Sequence, residues 1–144
     1  MQHAFGLRIP ETLEDVCQPE HMALLVYDMQ VGVVRQIPDA AAVTARVSRV
    51  LAAARGRGLR VYFSRHISLA NEVAGVAQLR RAMLWQRQVR VTDIVPAFPP
   101  DASQTQLLPE LSPRPQEAVF DKITMSFFEG TPLSIALQIG RAHV

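Results

Sequence analysis

The chain has one cysteine, one lysine and no long apolar run. With Cys17 alone, no intramolecular disulfide can form and no Cys-rich metal site can be built. A reducing, cytoplasmic home is the expectation that follows. A membrane span needs about 20 consecutive apolar residues, and the sequence offers none. The opening MQHAFGLRIPETLEDV lacks a charged segment followed by an apolar one, so no secretory signal is readable in it. Charge of one sign is also scarce: the formal net charge is +2. The basic residues are scattered, as in Arg80-Arg81 and Arg87–Arg90, and form no stripe, so no nucleic-acid partner is expected. Glycine is missing where a phosphate turn would need it. Met29-Gln30-Val31-Gly32 holds a single Gly, which argues against a flavodoxin-like or dinucleotide-binding module.

The shortage of lysine carries a different message. Of 15 basic residues only Lys122 is a lysine; the rest are arginine. Lys is a compact charge whose pKa moves with burial, and Arg is not. Either the composition favours Arg and Lys122 is a stray, or that position requires an ammonium group.

What is present is enough apolar material for one domain: 49% of 144 residues are hydrophobic. Residues 1–20 read as an N-terminal arm, with a short irregular helix around Thr12–Val16 that stops near Pro19. His21–Tyr27 then runs apolar into Asp28, the pattern of a strand buried on both faces of a parallel sheet. Pro38-Asp39 opens a helix whose Val43, Val47, Val50, Leu51 and Ala54 share one face, and Gly56 and Gly58 end it. Leu59–Ser64 is a second strand, completing a βαβ unit. Residues 71–87 read as a helix capped by Asn71. Residues 92–116 hold six prolines in a long connection, the kind that is functional or packs as its own lobe. Ala118–Phe120 is a third strand running into Asp121-Lys122. Thr131 caps a last helix with Pro132 at its first position.

Asp28 and Lys122 thus both lie at carboxyl ends of parallel strands, where ligands bind in such sheets. A carboxylate and an ammonium meeting there hold each other ionised, as a functional site or as a structural ion pair. Two motifs bear on the choice. Ala23–Gln30 (ALLVYDMQ) resembles the opening strand of the isochorismatase-like cysteine hydrolases, an apolar run followed by D-x-Q. Lys122–Leu133 (KITMSFFEGTPL) resembles their second signature, K-x-x-x-S-x-F-x-G-T-x-L, with Lys122, Ser126, Phe128, Gly130, Thr131 and Leu133 in place. The resemblance covers about residues 20–137, and the lone Lys falls on the family's catalytic Lys.

The resemblance implies a three-layer α/β/α, Rossmann-like parallel sheet of strand order 3-2-1-4-5-6, incomplete here at its C-terminal end. It implies a hydrolase of a small amide-like substrate, with no cofactor. The nucleophile would be a Cys at a helix start after a fourth strand. Asp28 would take the thiol proton, and Lys122 would favour the thiolate and stabilise developing negative charge. Cys17 precedes the first strand and is no substitute. Some relatives bind a divalent metal through Asp and two His; the D-x-H pattern for this is missing after the second strand, so no metal is expected. His66 lines the substrate pocket or satisfies a strand end. Trp85 and Phe127 wall the pocket or belong to the core.

The resemblance stops after Leu137. Residues 138–144 read QIGRAHV, and IGRAHV followed by a stop is what a widely used short-read sequencing adapter encodes in this frame (ATC GGA AGA GCA CAC GTC TGA). The expectation is a gene fragment that ran into adapter, so that residues 21–137 are the front of one hydrolase domain. Such a fragment would expose its first strand as an apolar edge, be poorly stable and lack activity. The complete protein would bind a small molecule and form a homo-oligomer. A non-catalytic binding or regulatory relative on the same fold stays open, because fold alone does not give function.

Overall fold

The computed structural model describes residues 1–139. Its centre is a three-stranded parallel sheet. Two short antiparallel strands come first, β1 (Gln2–Ala4) and β2 (Leu7–Ile9), followed by helix α1 (Leu13–Val16). The sheet is then built from β3 (Ala23–Val26), β4 (Arg60–His66) and β5 (Ala118–Lys122), in the order β3-β4-β5. The connections hold α2 (Val31–Val34), α3 (Ala40–Gly56) and α4 (Val76–Gln86); α5 (Leu133–Ile139) follows β5.

The strands alternate as a sheet with two covered faces requires. Val26, Val61 and Phe63 point one way and meet Leu51 of α3 and Leu111 of the long connection. Tyr62, with Ala23, Leu25, Ala118 and Phe120, points the other way and meets Phe127, and Leu133 of α5. Helix, sheet, helix is therefore the layer order, an α/β/α arrangement. Among the described residues β3 is one edge of the sheet.

Several expectations need correction. The N-terminal arm holds a hairpin that was not expected: residues 2–9 pair and turn at Phe5 and Gly6, both with positive φ. The helix after it is capped by Thr12, whose hydroxyl accepts from the Asp15 N–H while the Asp15 carboxylate accepts from the Thr12 N–H. Asn71 caps nothing. Helix α4 starts four residues later, after Gly75, and Asn71 Nδ2 donates to the Ile94 carbonyl at 2.8 Å. The second strand runs on to His66. The proline-rich connection is not a separate lobe; it lies back on α2 and α3 and buries Ile94, Thr105 and Leu111. Gly32 lets it approach, since a Cβ there would meet Gln104 Cβ at 2.8 Å and Phe98 Cε1 at 3.0 Å. Of the tail 138–144, Gln138 and Ile139 continue α5, and 140–144 lie outside the described residues.

Candidate active site

Parallel pairing brings the strand ends together. Val26 is level with Phe63, and His66 with Lys122. Asp28, two residues past Val26, thereby comes beside Ser64 of β4. Its backbone is left-handed (φ 47°), a conformation that Asp tolerates better than most side chains. Asp28 N–H donates to Ser64 Oγ at 3.0 Å, and Ser64 O–H donates back to Asp28 Oδ1 at 2.6 Å. The other carboxylate oxygen, Oδ2, stands 2.7 Å from Lys122 Nζ. Lys122 is only 2% exposed. Its ammonium also donates to the Thr124 carbonyl at 3.1 Å and sits 4.6 Å from the centre of the Tyr27 ring. A buried ammonium needs such partners, because desolvation is costly without them.

The loop after Lys122 explains the longer motif. Ser126 Oγ accepts from the N–H groups of Phe128 and Glu129, at 3.1 and 3.3 Å. Gly130 turns with φ +75°. Thr131 O–H donates to the Phe127 carbonyl at 2.6 Å, and its oxygen accepts from the Leu133 N–H at the start of α5. The motif thus folds the chain back from the lysine onto the core, where Leu133 is fully buried.

Gln30, the last residue of D-x-Q, is fully buried and acts as a clamp. Its Oε1 accepts from the His66 N–H at 2.7 Å, while Nε2 donates to the carbonyls of His66 (2.9 Å) and Thr105 (2.7 Å). This fixes the end of β4 and with it the His66 ring, which meets Phe98 edge-on at 6.0 Å between centroids. Burial pushes the His66 pKa below its ordinary value and the Lys122 charge pushes it further, while the Asp28 carboxylate and the Thr124 backbone oppose the shift and Arg81 adds a smaller downward push. His66 is therefore a neutral imidazole at neutral pH.

Above these strand ends lies an open cleft of about 660 Å³, lined by Asp28, Val33, His66, Trp85, Phe98 and Met125 among others. A smaller chamber of about 100 Å³ continues from it between α4 and residues 94–98, sharing His66, Trp85 and Phe98. The structure thus brings Asp28, Lys122 and His66 together and sets Trp85 across the cleft from them. It does not bring Phe127 there. Phe127 is 1% exposed and sits in the core under Tyr27, edge to face at 5.9 Å. Its ring supports the tyrosine that faces the Lys122 ammonium. Cys17 is exposed at the end of α1 and lines neither cavity. Among the described residues no cluster of three His, Cys, Asp or Glu is placed to hold a metal ion. No described helix is long and apolar enough to cross a membrane.

Sequence reasoning missed Ser64, Tyr27 and the role of Gln30. Gln30 and Tyr27 flank Asp28 in the quoted motif, which was the available signal. Ser64 gave none, because only strand pairing sets it against Asp28.

Comparison with known proteins agrees with this geometry. The isochorismatase domain model matches residues 22–143. A cysteine hydrolase from Pseudomonas syringae superposes with a TM-score of 0.62 at 23% identity, over 85% of this chain and 56% of that one. An isochorismatase-family hydrolase from Chromobacterium violaceum gives 0.58 at 26% identity, over 85% and 53%. N-carbamoylsarcosine amidase from Thermoplasma acidophilum gives 0.63 at 21% identity, over 83% and 61%. The chain thus spans little more than half the length of these relatives. No curated protein matches it. The family match over most of the chain shows that the chain belongs to the isochorismatase family.

Proposed function

We propose that the complete protein is a cysteine hydrolase that cleaves the C–N bond of a small amide-like substrate. The observation that carries this reading is the Asp28–Lys122 pair at the carboxyl ends of β3 and β5, with Asp28 lining the cleft and Lys122 buried behind it. A thiol placed beside the pair would lose its proton to Asp28. The Lys122 ammonium would favour the thiolate and then the negative charge growing on the substrate oxygen. The thiolate would attack the carbonyl carbon, the amine would leave with a proton, and water would release the acid.

In this reading the nucleophile is a cysteine supplied by sequence outside these 144 residues. The sole thiol here, Cys17, is not at the cleft, so the chain as given is inactive. A reducing cytoplasm would keep such a thiol available, and the complete domain would assemble as a homo-oligomer.

The test is to read the gene past the codon for Leu137 from source DNA, express the longer protein, and measure ammonia release from small primary amides before and after alkylation. Release that alkylation abolishes, and that Asp28→Asn also abolishes while the variant keeps the wild-type circular dichroism spectrum, supports the reading. A continuation without a cysteine at a helix start after a fourth strand overturns it and leaves a binding protein.

A further inference from the structure

The inner chamber is unusual in its charge. One face of α4 lines it, with Gln78, Arg81, Ala82 and Trp85 at helical spacing; Ile94 and Phe98 close the opposite side. Among the described residues no Asp or Glu lines the chamber. The outer cleft has a single acid, Asp28, and its charge is matched by Lys122. His66, between the two spaces, is neutral. The charge left over is that of Arg81. Its guanidinium lies 5.9 Å from the centre of the Trp85 ring, one turn along the same helix. Among the described residues it has no carboxylate within ion-pair distance.

We propose that the chamber is the recognition site for a carboxylate on the substrate, bound by Arg81, with an apolar group packed between Trp85 and Phe98. This inference rests on the hydrolase reading for the other end of the molecule, where the scissile amide would face Asp28 and Lys122. The substrate class is then a small amide that also bears a carboxylate and an aryl or branched alkyl body. Arg suits this task because its planar fork meets a carboxylate with two parallel hydrogen bonds. The aromatic wall supplies the apolar contact that a charged group alone lacks. Simple solvation is the competing account of Arg81. It explains neither the absence of acids around the chamber nor the stacking of the guanidinium on the aromatic wall.

Binding is measured on the longer protein read from source DNA, by titration calorimetry and by the emission of Trp85, the only tryptophan of these 144 residues. The probes are hippurate, which has the aryl group, amide and carboxylate, and hippuramide, which is neutral. Hippurate is expected to shift Trp85 emission saturably and to bind about tenfold more tightly than hippuramide. Arg81→Gln should erase that preference, Arg81→Lys should keep part of it, and about 0.5 M sodium chloride should narrow it. Arg81 is exposed and, among the described residues, makes no salt bridge, so both variants should retain the wild-type circular dichroism spectrum. Equal binding of the two probes, no saturable response to hippurate, or a preference that survives Arg81→Gln would overturn the proposal. A longer protein without thiol-dependent amidase activity would sink the hydrolase reading alone and leave a measured carboxylate preference standing.

Discussion

The floor and the wall of the cleft are built on opposite terms. The floor consists of strand ends: Asp28, Ser64 and Lys122 are held by one another, by backbone groups and by the sheet register. The wall consists of α4, where Trp85 is 65% exposed and Arg81 faces solvent as well as the chamber. Every polar atom of the floor has a partner, and several wall residues have none. A reaction centre tolerates little displacement and is best placed on rigid elements, while recognition of different substrates is met by surface side chains that change at low structural cost.

The largest effect expected from breaking this contrast is at Asp28. Asp28→Asn leaves the Lys122 ammonium buried without its counter-charge. Removing one partner of a buried pair costs roughly 3–5 kcal/mol, so urea unfolding of the longer protein should show a large drop in midpoint. A drop below about 1 kcal/mol would mean the pair behaves as an exposed one.

Ser64→Ala should cost less, about 2 kcal/mol, because it removes one hydrogen bond to a charged group and leaves the Asp28 N–H unpartnered. Ser64→Thr, which keeps the hydroxyl, should recover part of that loss in the same denaturant experiment.

The third effect is one of pH. The His66 pKa is lowered in the folded state, so the unfolded chain binds a proton near 6.5 while the folded chain does so only at lower pH. The unfolded state then holds more protons, and stability falls as pH drops from about 6.5 through the folded pKa. A His66→Gln variant should lose this part of the acid sensitivity. An unchanged pH–stability curve in that variant would place the sensitivity elsewhere.

The smallest stability effect is expected at the wall. Trp85→Ala should change the unfolding free energy by no more than about 0.5 kcal/mol, as for most exposed positions. A loss of several kcal/mol would show that α4 is held by this ring and would dissolve the distinction between floor and wall.

The contrast also explains what was legible. The apolar run into Asp28 announced β3, because a strand covered on both faces needs a continuous apolar stretch, whereas β5 was read from Ala118–Phe120 although Val119 and Asp121 are exposed. Helix α3 was legible from its one-sided valines and leucine. The hairpin of residues 2–9 was not. Its strands are three residues long and largely exposed, and Phe5-Gly6 at the turn lacks the usual Asn or Asp signal. Asn71 resembled a cap because its side chain accepts hydrogen bonds well, but here it donates to a distant loop. Phe127 and Trp85 were indistinguishable as large apolar residues, and only packing sent one to the core and the other to the cleft.

Residue types and local pattern alone thus determined the α/β class, the order of the three central strands along the chain and the two charged residues at their ends. Local pattern suffices for these because burial on both faces and helical periodicity are written in consecutive residues. Tertiary structure decided that Ser64 and Gln30 fix Asp28 and His66 from strands and loops more than 30 positions away. It also decided that Arg81 would look into a chamber without acids. Those are consequences of register and of side chains meeting across the sheet, and the spacing of residues along the chain does not encode either one.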